Sequence, residues 1–177
     1  MVESLALSSV YTLIEPGPVV LLTTARAGRP NVMTMSWHMM LEFEPPLIAC
    51  VVSNANYAFG ALRRTRECVI AIPPARMAAE VVKVGNCSGK QVDKFAKFGL
   101  TPLAAERVAP PLVAECFANL ECRVSDTRLV ERYNLFILEV LAAWIDPKQR
   151  HPNTLHHQGY GKFAITGRAV KLKSRMR

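Results

Sequence analysis

Apolar positions along this chain fall into short runs separated by turn-forming residues, a spacing of strands more than of helices. Residues 19–24 form a β-branched apolar run suited to a strand buried on both faces. Residues 25–30 carry the turn signal Ala-Gly-Arg-Pro, and residues 31–37 resume as a strand, so the two runs read as a hairpin. Within the second run Val32, Met33 and Met35 stand against Thr34 and Ser36, and it ends in Trp37-His38. Short hydroxyls beside a large aromatic suit the rim of a flat, polar-edged ligand. On the pattern alone an edge strand with a core tryptophan is the favoured reading. Residues 47–52 are a third apolar run, closed by Ser53 and Asn54, and Asn56 is placed to cap a helix running to about residue 64.

Further on, residues 68–72 predict a strand stopped by Pro73-Pro74, residues 75–84 a helix, and residues 93–98 a short helix. Residues 118–124 and 135–143 predict strands, the second ended by Trp144-Ile145-Asp146-Pro147. Helices are local insertions among strands, so an antiparallel barrel is expected, not a parallel α/β sheet. No Gly-x-Gly-x-x-Gly follows a strand, which excludes a doubly wound dinucleotide-binding domain. Ser88-Gly89-Lys90 lacks the spacing of a nucleoside-triphosphate loop.

Length and composition narrow the class. The 177 residues, half of them hydrophobic and a fifth charged, suit one globular domain. No apolar run reaches membrane-spanning length, and Glu3 near the start argues against a secretory leader, so a cytoplasmic protein is expected. The net charge of +8 is dispersed, apart from Arg63-Arg64-Thr65-Arg66 and a tail with Lys171, Lys173, Arg175 and Arg177. It favours anionic partners, phosphorylated cofactors among them, but no nucleic-acid motif accompanies it. The five cysteines are odd in number and form no Cys-x-x-Cys, which reads as reduced thiols; Cys50 and Cys68 sit in apolar runs. Cys87 differs in lying in a loop with Lys90 nearby, yet no base partner marks it as a catalytic nucleophile. Adjacent His156 and His157 on a strand would point to opposite faces, and no zinc-like spacing surrounds them, so no metal site is expected.

Several motifs stand in a fixed order: Thr23-Thr24, then Asn31…Thr34…Ser36-Trp37, then Pro45-Pro46-Leu47. They are followed by Ser88-Gly89-Lys90…Asp93-Lys94-Phe95, by Gly99-Leu100-Thr101, and by His156-His157…Gly159…Gly161…Phe163. Together, over residues 14–167, they resemble the flavin-reductase-like family of FMN-binding split barrels, which includes flavoredoxin. The resemblance implies a mainly β fold, an antiparallel Greek-key split β-barrel with a few short helices. It implies one domain over residues 1–177, with residues 1–13 as an extension and 168–177 as a basic tail.

By the same resemblance Asn31, Thr34, Ser36 and Trp37 border the isoalloxazine and ribityl chain of FMN. Ser53, Asn54 and Asn56 form a helix start that seats the phosphate or simply caps the helix. Ser88 and Gly89 join the cofactor-binding set, Lys90 and Lys94 neutralise the phosphate, Asp93 orients a neighbouring group, and Phe163 approaches the flavin. His38 and Tyr133 are assigned to the nicotinamide donor, with a structural role equally open for His38, and Tyr133 stands where family members often carry histidine. The function implied is an FMN-dependent oxidoreductase drawing electrons from NAD(P)H and passing them to an acceptor the sequence does not name. A homodimer with the flavin near its interface is expected, with no nucleic-acid or membrane partner. A non-catalytic FMN electron carrier and a cofactor-free barrel binding an anionic macromolecule remain as alternatives.

Overall fold

The computed structural model describes residues 3–10, 17–149, 151–158 and 161–170. Gly159 of the paired-histidine motif and the basic tail beyond residue 170 lie outside them. After a two-residue strand, β1 (Glu3–Ser4), the chain builds the expected hairpin from β2 (Val20–Arg26) and β3 (Arg29–Met35). Their register runs from Val20↔Met35 to Arg26↔Arg29 around Ala27 (φ 50°) and Gly28 (φ 75°). Positive φ at both central residues is what a two-residue hairpin turn requires, and Gly28 adopts it without steric cost.

β3 ends at Met35, two residues short of the expected boundary, because the chain turns at Ser36-Trp37 into a strand the sequence pattern did not announce. This is β4 (His38–Glu42), paired antiparallel with β5 (Leu47–Val51). Trp37 is 71% exposed, so the core-tryptophan reading fails. Then follow α1 (Tyr57–Thr65), β6 (Glu67–Ile72), a single 3-10 turn (Ala75–Met77) and α2 (Ala78–Gly85). α3 (Lys94–Phe98), two short strands β7 (Pro102–Leu103) and β8 (Leu112–Val113), and β9 (Ala118–Asp126) come next. The described chain ends with α4 (Val130–Tyr133), β10 (Leu135–Ile145), β11 (Leu155–His157) and β12 (Phe163–Ile165). Trp144 and Ile145 belong to β10 instead of ending it, since they pair with Asn119 and Ala118 of β9.

The main sheet is antiparallel, in the order β3-β2-β6-β9-β10-β5-β4, with β1 added to β10. β3 and β4 are joined by two residues yet occupy opposite ends of that order. The sheet must therefore curl until its two edges meet, which makes a barrel with an unpaired seam between β3 and β4. The crossing from β5 through α1 to β6, beside β2, is the long return of a Greek key. Leu22, Ile48, Ile70, Leu120, Phe136 and Leu138 fill the interior. On the outer face of the β2–β3 hairpin, Leu21 and Val32 pack under Val81 and Val84 of α2 and Phe95 of α3. So β2 is buried on both faces, as its composition predicts. Each such side chain contributes about 1.5–3 kcal/mol, which holds helices too short to be stable alone.

Two devices fix the intervening loops. Asp93 Oδ1 accepts from Ala96 N–H at 3.1 Å and caps α3, which Gly99 (φ 65°) ends. Glu121, wholly buried on β9, accepts from the amides of Glu106, Arg107 and Val108 and from the Trp144 indole at 2.7 Å. Arg63 and Arg64 form the solvated end of α1, with Arg63 paired to Glu131. None of the helices among the described residues is long and apolar enough to cross a membrane.

Candidate functional site

Beside the seam, β3, the start of α1 and the loop after α2 enclose a cleft of about 210 Å³. β3 contributes Asn31 and Met33, α1 contributes Asn56 and Tyr57, the loop contributes Asn86 to Gly89, and Lys94 closes the cleft from α3. A trough of about 280 Å³ adjoins it through Met33 and Asn56 and extends along Thr34, Ser36 and Trp37 to Ser53. A groove of about 370 Å³ adjoins its other end through Tyr57 and Gly89, bordered by Arg29 and Lys90. The three form one furrow along β3. Arg29 and Lys90 lie at one end, Lys94 and Tyr57 at the central cleft, and Trp37 at the other end.

Asn31 sits at the centre. Its side chain is buried, yet Oδ1 has no hydrogen-bond partner. A buried acceptor left unpaired costs about 1–3 kcal/mol, so its persistence marks a place that expects a donor. Gly89 makes room for it: a Cβ there would stand 1.9 Å from Asn31 Oδ1 and 3.1 Å from a Tyr57 ring carbon. Asn56 holds the N-cap position of α1, but its side chain makes no capping bond; Phe59 N–H donates to the Asn56 carbonyl at 3.1 Å, which leaves the amides of Tyr57 and Ala58, two residues lining the cleft, for a ligand. Ser53 and Ser88 accept from the amides of Ala55 and Lys90, both at 3.3 Å, through oxygens whose protons remain free to donate.

Lys94 is almost wholly buried, and its Nζ donates to Val84 O at 2.8 Å at the end of α2. Burial lowers its pKa, opposed by the nearby Cys87 sulfur. The Thr34 hydroxyl donates to Val81 O at 2.6 Å, so part of its capacity ties β3 to α2.

Of the residues predicted from sequence, the furrow brings together Asn31, Thr34, Ser36, Trp37, Ser53, Asn56, Ser88, Gly89, Lys90 and Lys94. It does not bring in Asn54, His38, Tyr133 or Phe163. Asn54 is solvent-exposed at the β5 end. His38 points inward from β4, opposite to Trp37 and Met39, and its Nε2 donates to Pro18 O at 2.6 Å. Burial lowers its pKa first, with His156 adding to the effect and the Pro18 bond opposing it, and Nδ1 is buried without a partner. Tyr133 is half-exposed at the end of α4 under the Arg132 guanidinium. Phe163 packs on His157 and on the cluster beneath α2 and α3. The sequence did not single out Tyr57, which borders both the cleft and the groove, and took Cys87 as a loop thiol only. Among the described residues no three of His, Cys, Asp and Glu gather around a metal position.

Known proteins resemble this chain in sequence and in fold. The chain is 33% identical over 172 residues to the uncharacterized protein YddH of Escherichia coli (strain K12), covering 89% of this chain and 91% of that one. An FMN-binding domain of a flavin reductases-like enzyme from Shewanella baltica OS155 superposes with a TM-score of 0.92 at 25% identity, covering 98% of both chains. The flavoredoxin of Desulfovibrio vulgaris (Miyazaki F) superposes at 0.79, also 25% identical, covering 88% of this chain and 90% of that one. The model of the flavin reductase like domain matches residues 13–164, and with the seamed barrel and the furrow along β3 it establishes that this chain belongs to the flavin reductase-like family.

Proposed function

We propose that the furrow holds FMN and that the protein is a cytoplasmic FMN-dependent oxidoreductase of the flavin reductase type, with NAD(P)H as transient donor. The observation that carries this is the buried, unpartnered Oδ1 of Asn31, a residue that lines the cleft. It calls for a ligand that donates a hydrogen bond, and FMN donates through its ribityl hydroxyls and ring N–H. The rest of the donor set fits the same group. The open start of α1 and Lys94 suit the phosphate, Lys90 and Arg29 add positive field, and Thr34, Ser36 and Trp37 suit a flat ring with a polar edge.

Bound FMN supplies the redox chemistry, accepting a hydride from reduced nicotinamide and passing electrons onward. The chain supplies position and field. Asn31 fixes the ligand's rotation about its long axis by accepting one bond from a donor on it. Lys94, held by Val84 O, offers its remaining N–H groups to an anion from a fixed point. Trp37 and Met33 wall the trough and limit water at its ring end. The furrow has no separate dinucleotide domain, so the donor binds weakly, through stacking and the positive field, and its capture weakens as salt rises.

We propose further that the protein is a homodimer. Trp37 and Met39 lie on the outer side of β4, and beyond its register shift at Leu41 the chain also exposes Leu41 and Phe43; the four are 71, 58, 46 and 56% exposed. The register adds Ala49 and Val51 of β5 and Leu135 and Ile137 of β10 to the same face. A second copy is the occupant this face suits, because it reaches Trp37 at the mouth of the trough and a mate there would roof it. Trp37→Glu with Met39→Glu is expected to give monomers in sedimentation equilibrium. A monomeric parent protein at micromolar concentration refutes the dimer.

Anaerobic mixing of the FMN-loaded protein with NADH and with NADPH tests the activity. Bleaching of the flavin band by either nucleotide is expected. If both leave it oxidised while dithionite reduces it and a partner protein reoxidises it, the chain is an electron carrier. A colourless protein that ignores added FMN overturns the cofactor reading.

A further inference from the structure

We infer that Cys87 is a modification site that gates the cleft: a low-molecular-weight disulfide exchanges with its thiol, and the resulting adduct and the flavin exclude each other. This rests on the FMN reading and adds a regulation to it. Three observations carry the inference. Cys87 is the one cysteine of the chain that is not buried, and it lines the cleft itself. The other four stand at 0–1% exposure inside the core, so no reagent reaches them without unfolding. The unpartnered Asn31 Oδ1 lines the same cleft, which marks the wall Cys87 shares as a ligand wall and not a surface crevice.

Lys94 ties the sulfur to the anion seat. Its ammonium is near enough to Cys87 for the sulfur to act on it, while Nζ itself is fixed at Val84 O. An adduct on Cys87 therefore lies beside the cation proposed for the phosphate. Lys90, across Gly89 in the adjoining groove, makes the approach attractive to an anionic disulfide.

The step balances without any other reactant. The deprotonated Sγ attacks one sulfur of R–S–S–R, the S–S bond breaks as the Cys87–S–R bond forms, and R–S⁻ leaves and takes up the proton. Cys87 is oxidised, the leaving thiol is reduced, and excess free thiol reverses the exchange. A cleft of about 210 Å³ cannot hold a peptide-sized adduct together with the flavin.

The test uses the full-length chain and Ellman's reagent, an anionic aromatic disulfide, with the released thiol read by absorbance. One equivalent is expected natively and five in denaturant. With FMN at about 100 times its Kd, about 1% of clefts are free, so the native rate is expected to fall about 100-fold. Cys87→Ser is expected to release nothing natively. Protein loaded with glutathione disulfide is expected to lose FMN fluorescence quenching and to regain it with dithiothreitol. If FMN binds but leaves the rate unchanged, or binds the adduct as well as the free thiol form, gating is overturned and the flavin reading stands. Native release of no equivalent also overturns it. If the unmodified protein fails to quench FMN at all, the flavin reading falls and the gate with it.

Discussion

Replacing Gly89 by alanine tests the centre of the cleft with a single methyl group. Gly89 is not among the residues with positive φ, so its backbone tolerates alanine and only the side chain conflicts. The new Cβ would lie 1.9 Å from Asn31 Oδ1 and 2.6 Å from its Cγ, well inside contact distance. The amide must rotate away, and overpacking of this kind costs about 1–3 kcal/mol. The low end is expected, because Oδ1 leaves a seat where it has no partner. Binding suffers more specifically. Losing one neutral hydrogen bond of about 0.5–1.5 kcal/mol weakens FMN about 2- to 10-fold. Fluorescence titration reads this directly, and urea midpoints with and without FMN read it by linkage: a tenfold weaker Kd removes about 1.4 kcal/mol of ligand-induced stabilisation. Asn31→Ala should weaken FMN by a similar factor and remove the clash, so adding Gly89→Ala to it should cost little more. Gly60→Ala is the control, since its Cβ meets nothing within 4 Å on the exposed side of α1; it should raise stability by up to about 1 kcal/mol and leave FMN affinity alone. Parental FMN affinity in Gly89→Ala, or fully additive losses in the double variant, refutes the role given to Asn31.

Three more outcomes are expected. Lys94→Ala should weaken FMN by about 1.5–3 kcal/mol while leaving riboflavin, which lacks the phosphate, nearly unaffected; equal losses for both would remove Lys94 from the phosphate seat. The same change strips Val84 O of its donor and should lower the urea midpoint, by about 1–3 kcal/mol of stability. His38 has a folded pKa below its ordinary 6.5, so as pH falls through that value the unfolded chain takes up a proton the folded chain refuses. Stability should therefore be constant above about pH 7, decline as pH falls below 6.5, and level off under the folded value; His38→Gln should flatten this decline, and an unchanged slope would refute it.

What the sequence revealed depended on whether a residue's fate was decided locally. β2 was legible because Val19 to Thr24 read as buried on both faces wherever the strand sits. The turn at Ala27-Gly28 was legible for the same reason. β4 was not, since Met39, Met40 and Leu41 break the alternation: Met40 packs on the core while Met39 and Leu41 are exposed. Such a strand looks like neither a half-buried strand nor a helix. The exposure of Trp37 depends on which sheet edge the seam falls at, a long-range outcome invisible to local pattern. Most of the furrow's residues were found through motifs, but not their order of burial. Lys90 and Lys94 look alike in the chain, and the Asp93 cap is what starts α3 so that Lys94 turns inward. His38 adjoins the trough in sequence and points away from it in space, because consecutive strand residues face opposite ways.

The buried carboxylate of Glu121 has a consequence for how the barrel breathes. Glu106, Arg107 and Val108 lie in a loop with no strand partners of their own, yet their three amides end on one side chain of central strand β9. Loop amides ordinarily exchange with solvent deuterium through small local openings. Here no amide of the three is released by a small opening: the carboxylate would be left partly uncompensated, and the Trp144 indole shares it from β10. The three should exchange together and slowly, on the timescale of β9 and β10, so a stretch drawn as a loop would behave in hydrogen exchange as part of the sheet.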